Sequence, residues 1–439
     1  LVRWKWIVVV TMLFSLLLTL PSAAQQTVVT YWTFEPRLTE QLIEKFHDLY
    51  PDIRVEVVPM EFQDLHEKLI VALAAGGAPD LAMVEIQEIG RMVNEAGPVL
   101  QDFLAAPFNA GQYEKDFVPY KWRQGLHNGR LVAFPWDIGP AGLFYRRSIF
   151  EERGFDSRPE AMYESLMTWD DFIEAGRKVY LDRDGDGVPE QFIIGDAREV
   201  SKFAIEQVGI PIIDEENVVH LDDPRIIEAV QIGRTIRELD LDGIARINYK
   251  WSDQWYSSFP SSQAATELAG SWFHGTLAEV APETAGDWGV IPVPGGPYQV
   301  NQGGSFMVMP AASRNKEAAW KLLEFLLINE ESQLHYTNEH GTFSAYMPVW
   351  DDPSLDQPVD FFAGQPVARM FLRIAEAIPP VYVHPLQKEI ANLLNDTEQN
   401  GWRGYVSKVY FGDMPANTAF AEAARELRAI VADWLAQRR

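Results

Sequence analysis

The sequence predicts an α/β protein folded as two lobes, with the chain passing between them more than once. Three observations lead there. Short β-branched runs alternate with amphipathic helical stretches in both halves of the chain, the grammar of helices layered on a mostly parallel sheet. At roughly 150 residues per domain, 439 residues make about two or three folding units, each large enough for its own core. No repeat, low-complexity tract or single long linker divides the chain, so the lobes must share it through several crossings.

The elements follow in order. Thr27 to Trp32 is β-rich and leads into Glu35-Pro36. Thr39 to Tyr50 then sets Leu42, Ile43, Phe46 and Leu49 on one helical face. Pro51-Asp52 breaks the chain before the alternating strand Ile53 to Val58. Phe62 to Ala75 has helical period and stops at Gly76-Gly77, and Ala78-Pro79-Asp80 opens a short apolar strand, Leu81 to Val84, that ends at Glu85. The same pattern returns later. Leu131 to Pro135 and Gly142 to Tyr145 read as strands, and Thr168 followed by Trp169-Asp170-Asp171 reads as a helix cap. Gly289 to Val293 and Ser305 to Met309 are further strands, Asn315 to Asn329 is an amphipathic helix, and Ala416 to Gln437 is helical by composition.

Composition narrows the chemistry. With 47% hydrophobic and 23% charged residues the chain is an ordinary globular mixture. Lys plus Arg number 37 against 63 Asp plus Glu, a formal charge of −26, which repels phosphate backbones and anionic lipid headgroups. Nucleic acid and membrane-surface partners are therefore not expected. The absence of Cys excludes disulfides, thiolate metal sites and Cys nucleophiles. At the N-terminus, Arg3 and Lys5 precede an apolar run from Ile7 to Leu20 and then Pro21-Ser22-Ala23-Ala24. That run is too short to span about 30 Å of hydrocarbon and reads as a cleavable secretory signal, residues 1–24. No Cys follows it for lipid attachment, so a free periplasmic protein is expected.

Two motifs carry chemistry. Asp182, Asp184 and Asp186 alternate before Gly187, reproducing the first half of a calcium loop, with the Val188 carbonyl and Glu190 as further oxygen ligands. The twelfth position is Ile193 rather than the usual bidentate Glu, and a solvated acidic turn is the competing reading. A structural calcium ion is the one cofactor this sequence suggests. The second motif is aromatic. Of 14 Trp, several fall at strand ends or loops: Trp32, Trp136, Trp251, Trp255, Trp272 and Trp402. The apolar face of a pyranose stacks on indole while its hydroxyls seek carboxylates, amides and Arg. Trp32 near Glu35 and Arg37, Trp136 beside Asp137, and Trp272 beside Ser271 and His274 have that combination, although any one of these indoles alone reads more readily as core.

Catalytic signatures are missing. There is no Gly-x-Ser-x-Gly elbow and no phosphate loop, His66-Glu67 has no second His one turn on, and His335 and His340 are not spaced to share a helical face. A carboxylate pair of the glycosidase kind is compatible with so acidic a chain, so that class stays open.

From Thr27 to about Gly341 the chain resembles the extracellular solute-binding proteins of ABC importers, in the carbohydrate-binding branch of the maltose-binding-protein family. The likeness rests on Val29-Thr30-Tyr31-Trp32, Phe46 to Ile53, Gly77 to Leu81, Gly129 to Asp137, Leu143 to Phe150, Thr168 to Phe172, Gly303-Gly304-Ser305 and Asn315 to Leu327, in that order. Arg146-Arg147 departs from the Asn-Lys common in the family. The resemblance implies a periplasmic-binding-protein fold, with crossover strands forming a hinge. It places one lobe at 25–138 and 303–348 and the other at 139–302 and 349–439. It implies solute contacts from Trp32, Glu35, Asp80, Trp136, Asp137, Trp272, Gly303 and Gly304, with no catalytic residue. It further implies a monomer that captures a di- or oligosaccharide by lobe closure and hands it to the transmembrane subunits of an ABC permease. Binders of polyols, glycerol phosphate and polyamines share the family, so those solutes stay open.

Overall fold

The computed structural model describes residues 26–248, 250–296, 298–379, 382–395 and 404–438. The secretory signal expected at 1–24 and Trp402 lie outside them. The first stretch runs β1 (Thr27–Thr33), α1 (Glu40–Leu49), β2 (Ile53–Pro59), α2 (Phe62–Ala75), β3 (Leu81–Glu85), α3 (Ile86–Glu95), α4 (Pro119–Gln124), β4 (Ala133–Pro135) and β5 (Asp137–Ile138). Alternation decides which face of β1 meets which helix. Val29 and Tyr31 are buried with Leu42 and Phe46 of α1, while Trp32 packs with Leu65 and Leu69 of α2 and Ile89 of α3.

The chain then builds a second sheet. Its elements are β6 (Ala141–Arg146), α5 (Trp169–Val179), β7 (Phe192–Ile194), α6 (Ala197–Gln207), α7 (Pro224–Glu238), β8 (Ala264–Gly270), α8 (Phe273–Val280) and β9 (Trp288–Pro292). α5 starts where the cap was expected: Thr168 accepts the Asp171 N–H while the Asp171 carboxylate accepts the Thr168 N–H. β6 and β8 are buried along their whole length, hence their near-continuous apolar sequence.

The chain returns with β10 (Ser305–Val308), α9 (Lys316–Leu327), α10 (Glu330–His340) and β11 (Phe343–Ser344). It ends in α11 (Gln387–Leu394), α12 (Tyr405–Tyr410) and α13 (Ala416–Ala436), whose apolar faces join the core of the second sheet.

The first sheet has the order β2-β1-β3-β10-β4 and the second β9-β6-β8-β7. Among the described residues, three of the seven pairings in these sheets are parallel and four antiparallel, so both are mixed rather than mostly parallel. The physical reason is the return of the chain. β10 re-enters the first sheet from the second and inserts antiparallel between β3 and β4. The outward and returning segments pair where they pass: Ala141 N–H donates to the Val300 carbonyl at 2.9 Å and Gln302 N–H to the Gly139 carbonyl at 2.6 Å. β11 pairs with β5 just before that crossing. Among the described residues no helix is long and apolar enough to cross a membrane.

Candidate ligand-binding cleft

The crossing brings an aromatic platform against the hinge. Trp272 caps α8, directly after β8, and its ring stacks on Trp251 with centroids 5.4 Å apart and planes 25° off parallel. Its indole N–H donates to the Gln302 carbonyl of the returning segment at 3.0 Å. Trp251 is 51% exposed, unusual for the largest apolar side chain, and its backbone sits at φ 78°. Left-handed backbone at a bulky residue costs of order 1–3 kcal/mol and persists only where its surroundings impose it. A buried ion pair lies underneath. The buried Lys250 ammonium is 2.9 Å from Glu267, 2.9 Å from the Leu268 carbonyl and 5.7 Å from the ring centres of both Trp251 and Trp255. Trp255 is core, and its indole N–H donates to Glu267 at 3.1 Å.

On the other side of the hinge lies a knot of buried charge. Asp137 accepts the Ser305 N–H at 2.7 Å, tying the outward crossing to the returning one. Burial pushes its carboxyl up to about 6, against the opposing pull of Lys121 and the Ser305 hydrogen bonds. Burial likewise raises Glu85, at the end of β3, to about 7, and lowers Lys121 of α4 to about 8. The Lys121 ammonium rests 3.9 Å from the Phe306 ring centre. Gly303 and Gly304 run over this knot at φ 99° and φ 105°, open to glycine and strained for other residues. A Cβ on Gly304 would meet the Asp137 carbonyl at 2.7 Å and the Lys121 Nζ at 2.8 Å, while one on Gly303 would approach the Trp272 Nε1 to 3.3 Å.

The lobes also meet at their rims. Glu35, just past β1, lies 3.7 Å from Arg37, whose guanidinium forks on to Glu279 of α8 in the opposite lobe. Burial raises the Glu35 carboxyl, with Arg37 opposing, and burial together with the Glu279 and Glu35 charges raises the Tyr256 phenol. At a second rim, Lys388 of α11 reaches Glu67 at 2.9 Å and Glu88 at 3.0 Å, and Gly90 of α3 packs against the His384 backbone.

The structure thus gathers Asp137, Trp272, Gly303 and Gly304 at one place, with Glu35 at the adjoining rim. Three expected contacts go elsewhere. Asp80 stands at the start of β3, the opposite end from the hinge. Its carboxylate is taken up by Thr30 N–H at 3.0 Å, Ser313 at 2.6 Å and Asn315 at 3.3 Å, so it pins β1 to the loop before α9. Trp136 is fully buried against Tyr336, with ring centroids 5.2 Å apart, because it follows β4 into the first core. Trp32 is half-buried on the α2–α3 face of β1, away from the face that carries Tyr31.

Comparison with known proteins resolves the kind of protein this is. Residues 35–333 match the profile of the bacterial extracellular solute-binding proteins. The chain belongs to that family. An arabinooligosaccharide-binding protein of Halalkalibacterium halodurans is 25% identical over 392 residues, covering 83% of this chain and 82% of its own. A lactose-binding protein of Rhizobium radiobacter is 25% identical over 378 residues, covering 82% and 85%. Among solved structures, an ABC-transporter-associated binding protein of B. animalis subsp. lactis, in complex with β-1,6-galactobiose, superposes with a TM-score of 0.74. It is 21% identical and covers 93% of this chain and 98% of its own. The fold is therefore the two-lobed α/β fold of extracellular solute-binding proteins, and the family is one of binding proteins.

Within this solute-binding protein the acidic loop assembles only in part. Asp182, Asp184 and Glu190 each bring one carboxylate oxygen within 4.8 Å of the others, a donor set that suits a hard divalent cation. Asp186 falls outside the set and its carboxylate accepts the Val188 N–H at 2.7 Å. The Val188 carbonyl is engaged by Arg246 at 2.8 Å, and the same guanidinium holds Glu190 at 2.8 Å. The expected five-ligand ring is thus reduced to three carboxylates beside a fixed positive charge.

Trp251, Asn301, Gln302 and the Arg37–Glu279 bridge are parts of the cleft that residue patterns did not single out as contacts. Trp251 carried a signal as one of the loop-placed aromatics. The amides of Asn301 and Gln302 carried none, since their partners Gly139 and Gly270 lie 162 and 32 residues earlier in the chain.

Proposed function

We propose that this chain is the extracytoplasmic solute-capturing component of an ABC importer, and that its solute is a neutral di- or oligosaccharide. The stacked Trp251–Trp272 pair beside the hinge is the observation that carries this reading: Trp272 backs Trp251, whose half-exposed indole keeps an outer apolar face on which a pyranose can stack. The rim supplies the polar half. At the rim the carboxylates of Glu35 and Glu279 flank the single guanidinium of Arg37, an edge suited to accepting hydroxyl protons and unfavourable to uronates or phosphate esters. Relatives named for binding arabinooligosaccharides, lactose and maltotriose agree with that chemistry.

The protein works by differential affinity for two conformations. A solute touching both lobes favours the closed one, and moving the equilibrium from 1:99 to 99:1 takes about 5.5 kcal/mol of preference. Indole stacking and several charge-assisted hydrogen bonds are of that order. The protein acts as a monomer, alters no covalent bond in its guest, and presents the closed form to a membrane permease from the periplasmic side. The three carboxylates of the acidic loop serve a structural calcium ion outside the cleft.

The test is a thermal-shift panel of neutral oligosaccharides, polyols, polyamines and glycerol phosphate. Stabilisation by the neutral saccharides alone is the expected outcome, with no new reducing ends on incubation. Stabilisation only by a charged solute, or cleavage of the saccharide, would overturn the reading.

A further inference from the structure

We infer that the adjacent amides Asn301 and Gln302 fasten the hinge to the aromatic platform, with Gln302 the positioning residue that couples stacking on Trp272 to rotation of the lobes. The inference rests on the reading above that Trp272 belongs to the solute platform. Asn301 holds the first lobe and the outward crossing. Its carboxamide oxygen accepts the Tyr120 hydroxyl of α4 at 3.1 Å and the Gly139 N–H at 3.0 Å, and its Nδ2 donates to the Gly303 carbonyl at 2.9 Å. Gln302 holds the second lobe. Its side-chain oxygen accepts the Gly270 N–H at the end of β8 at 3.0 Å, and its main-chain oxygen accepts the Trp272 indole at 3.0 Å.

No slack is left between these parts. A Cβ on Gly270 would come within 2.5 Å of both the Gln302 carbonyl and the Trp272 Nε1, and one on Gly139 within 2.0 Å of the same carbonyl. Both crossing segments and the platform therefore bear on one peptide group. Packed, hydrogen-bonded contacts of this kind move together rather than deform, so a turn of the hinge at residues 301–303 must carry the Trp272 ring with it. Coupling is reciprocal: a solute that fixes the ring biases the hinge.

The chain has no native Cys, so a dye pair introduced by Val71→Cys on α2 and Glu228→Cys on α7, both exposed, reports lobe separation by energy transfer. The unaltered cleft serves as reference, titrated with the saccharide that stabilises it most. Gln302→Ala leaves the main-chain acceptor of the Trp272 indole in place but removes the side-chain acceptor that fixes Gly270, two residues before that ring, and is expected to weaken binding at least about fivefold and to reduce the saccharide-induced change in transfer. Gln302→Glu keeps an acceptor for the Gly270 N–H and is expected to restore both. Unchanged affinity and full closure in Gln302→Ala would overturn the coupling, whatever happened to its melting temperature. So would equal impairment of the Ala and Glu variants. A reference protein that bound no saccharide would fail the functional reading instead, a distinct result.

Discussion

Trp272 joins three roles in one side chain: it stacks on Trp251, donates to the hinge carbonyl, and starts the helix that carries Glu279. Trp272→Ala is expected to weaken solute binding at least tenfold, about 1.4 kcal/mol or more, while the chain still unfolds cooperatively. Calorimetry with unchanged affinity would assign the ring to structure alone. His274, two residues on, makes a stability prediction. Burial, reinforced by His340, lowers its imidazole to about 4, so the folded state prefers it neutral while the unfolded chain protonates near 6.5. Between those values the unfolded state binds more protons. The stabilisation is complete above about 6.5 and is lost as pH falls towards about 4. His274→Gln should therefore lose about 1–2 kcal/mol less than the native chain between pH 7 and 5 in denaturant titrations. Parallel losses would contradict the assignment. At this scale the sequence exposes residue type and neighbourhood but not direction. Trp136-Asp137 looks like one unit in the chain, yet successive residues of an extended segment face opposite ways, so the carboxylate meets the hinge and the indole enters the core. Asp80 and Glu85 bracket one strand, and only the sheet decides that Glu85 ends at the hinge while Asp80 lies at the far side.

Secondary structure was the most legible level. Local period places α1, α2 and α9, and composition places α13, close to their observed bounds, and α2 stops at Gly76 in a left-handed cap as its Gly-Gly pair announces. Strand direction was less legible. β10 reads as an ordinary strand, but its antiparallel insertion is fixed by a chain that leaves and returns, which no local window contains. The acidic loop is a third case. Its carboxylate spacing announces a cation, whereas Arg246 arrives from the far side of β7 and engages the Val188 carbonyl and Glu190. We propose that the three convergent carboxylates hold calcium. Millimolar calcium is expected to raise the melting temperature relative to chelator, by up to about 2.7 kcal/mol of stability at a hundredfold excess over Kd. Asp182→Asn should abolish the difference. Superimposable melting curves with calcium and chelator would leave the loop as an Arg246-braced turn.

For the molecule as a whole, the account makes the hinge and the binding surface a single device. Buried Asp137, Lys121 and Glu85 sit under the two glycines of the returning crossing, Trp272 and Trp251 sit against its other side, and two rims of paired charge join the lobes. The Arg37–Glu279 pair is exposed and adds little stability on its own, and Lys388 finds one buried partner in Glu88, so the guest in the cleft must supply the rest of the preference for closure. Titration calorimetry of neutral di- and oligosaccharides, run on the native chain and on a Trp251→Ala, Trp272→Ala double variant, tests this most directly. The account predicts saturable one-site binding with a negative heat-capacity change in the native chain and its loss in the double variant. Saccharide binding of undiminished affinity without the two indoles, or no heat from any saccharide with the native chain, would contradict it.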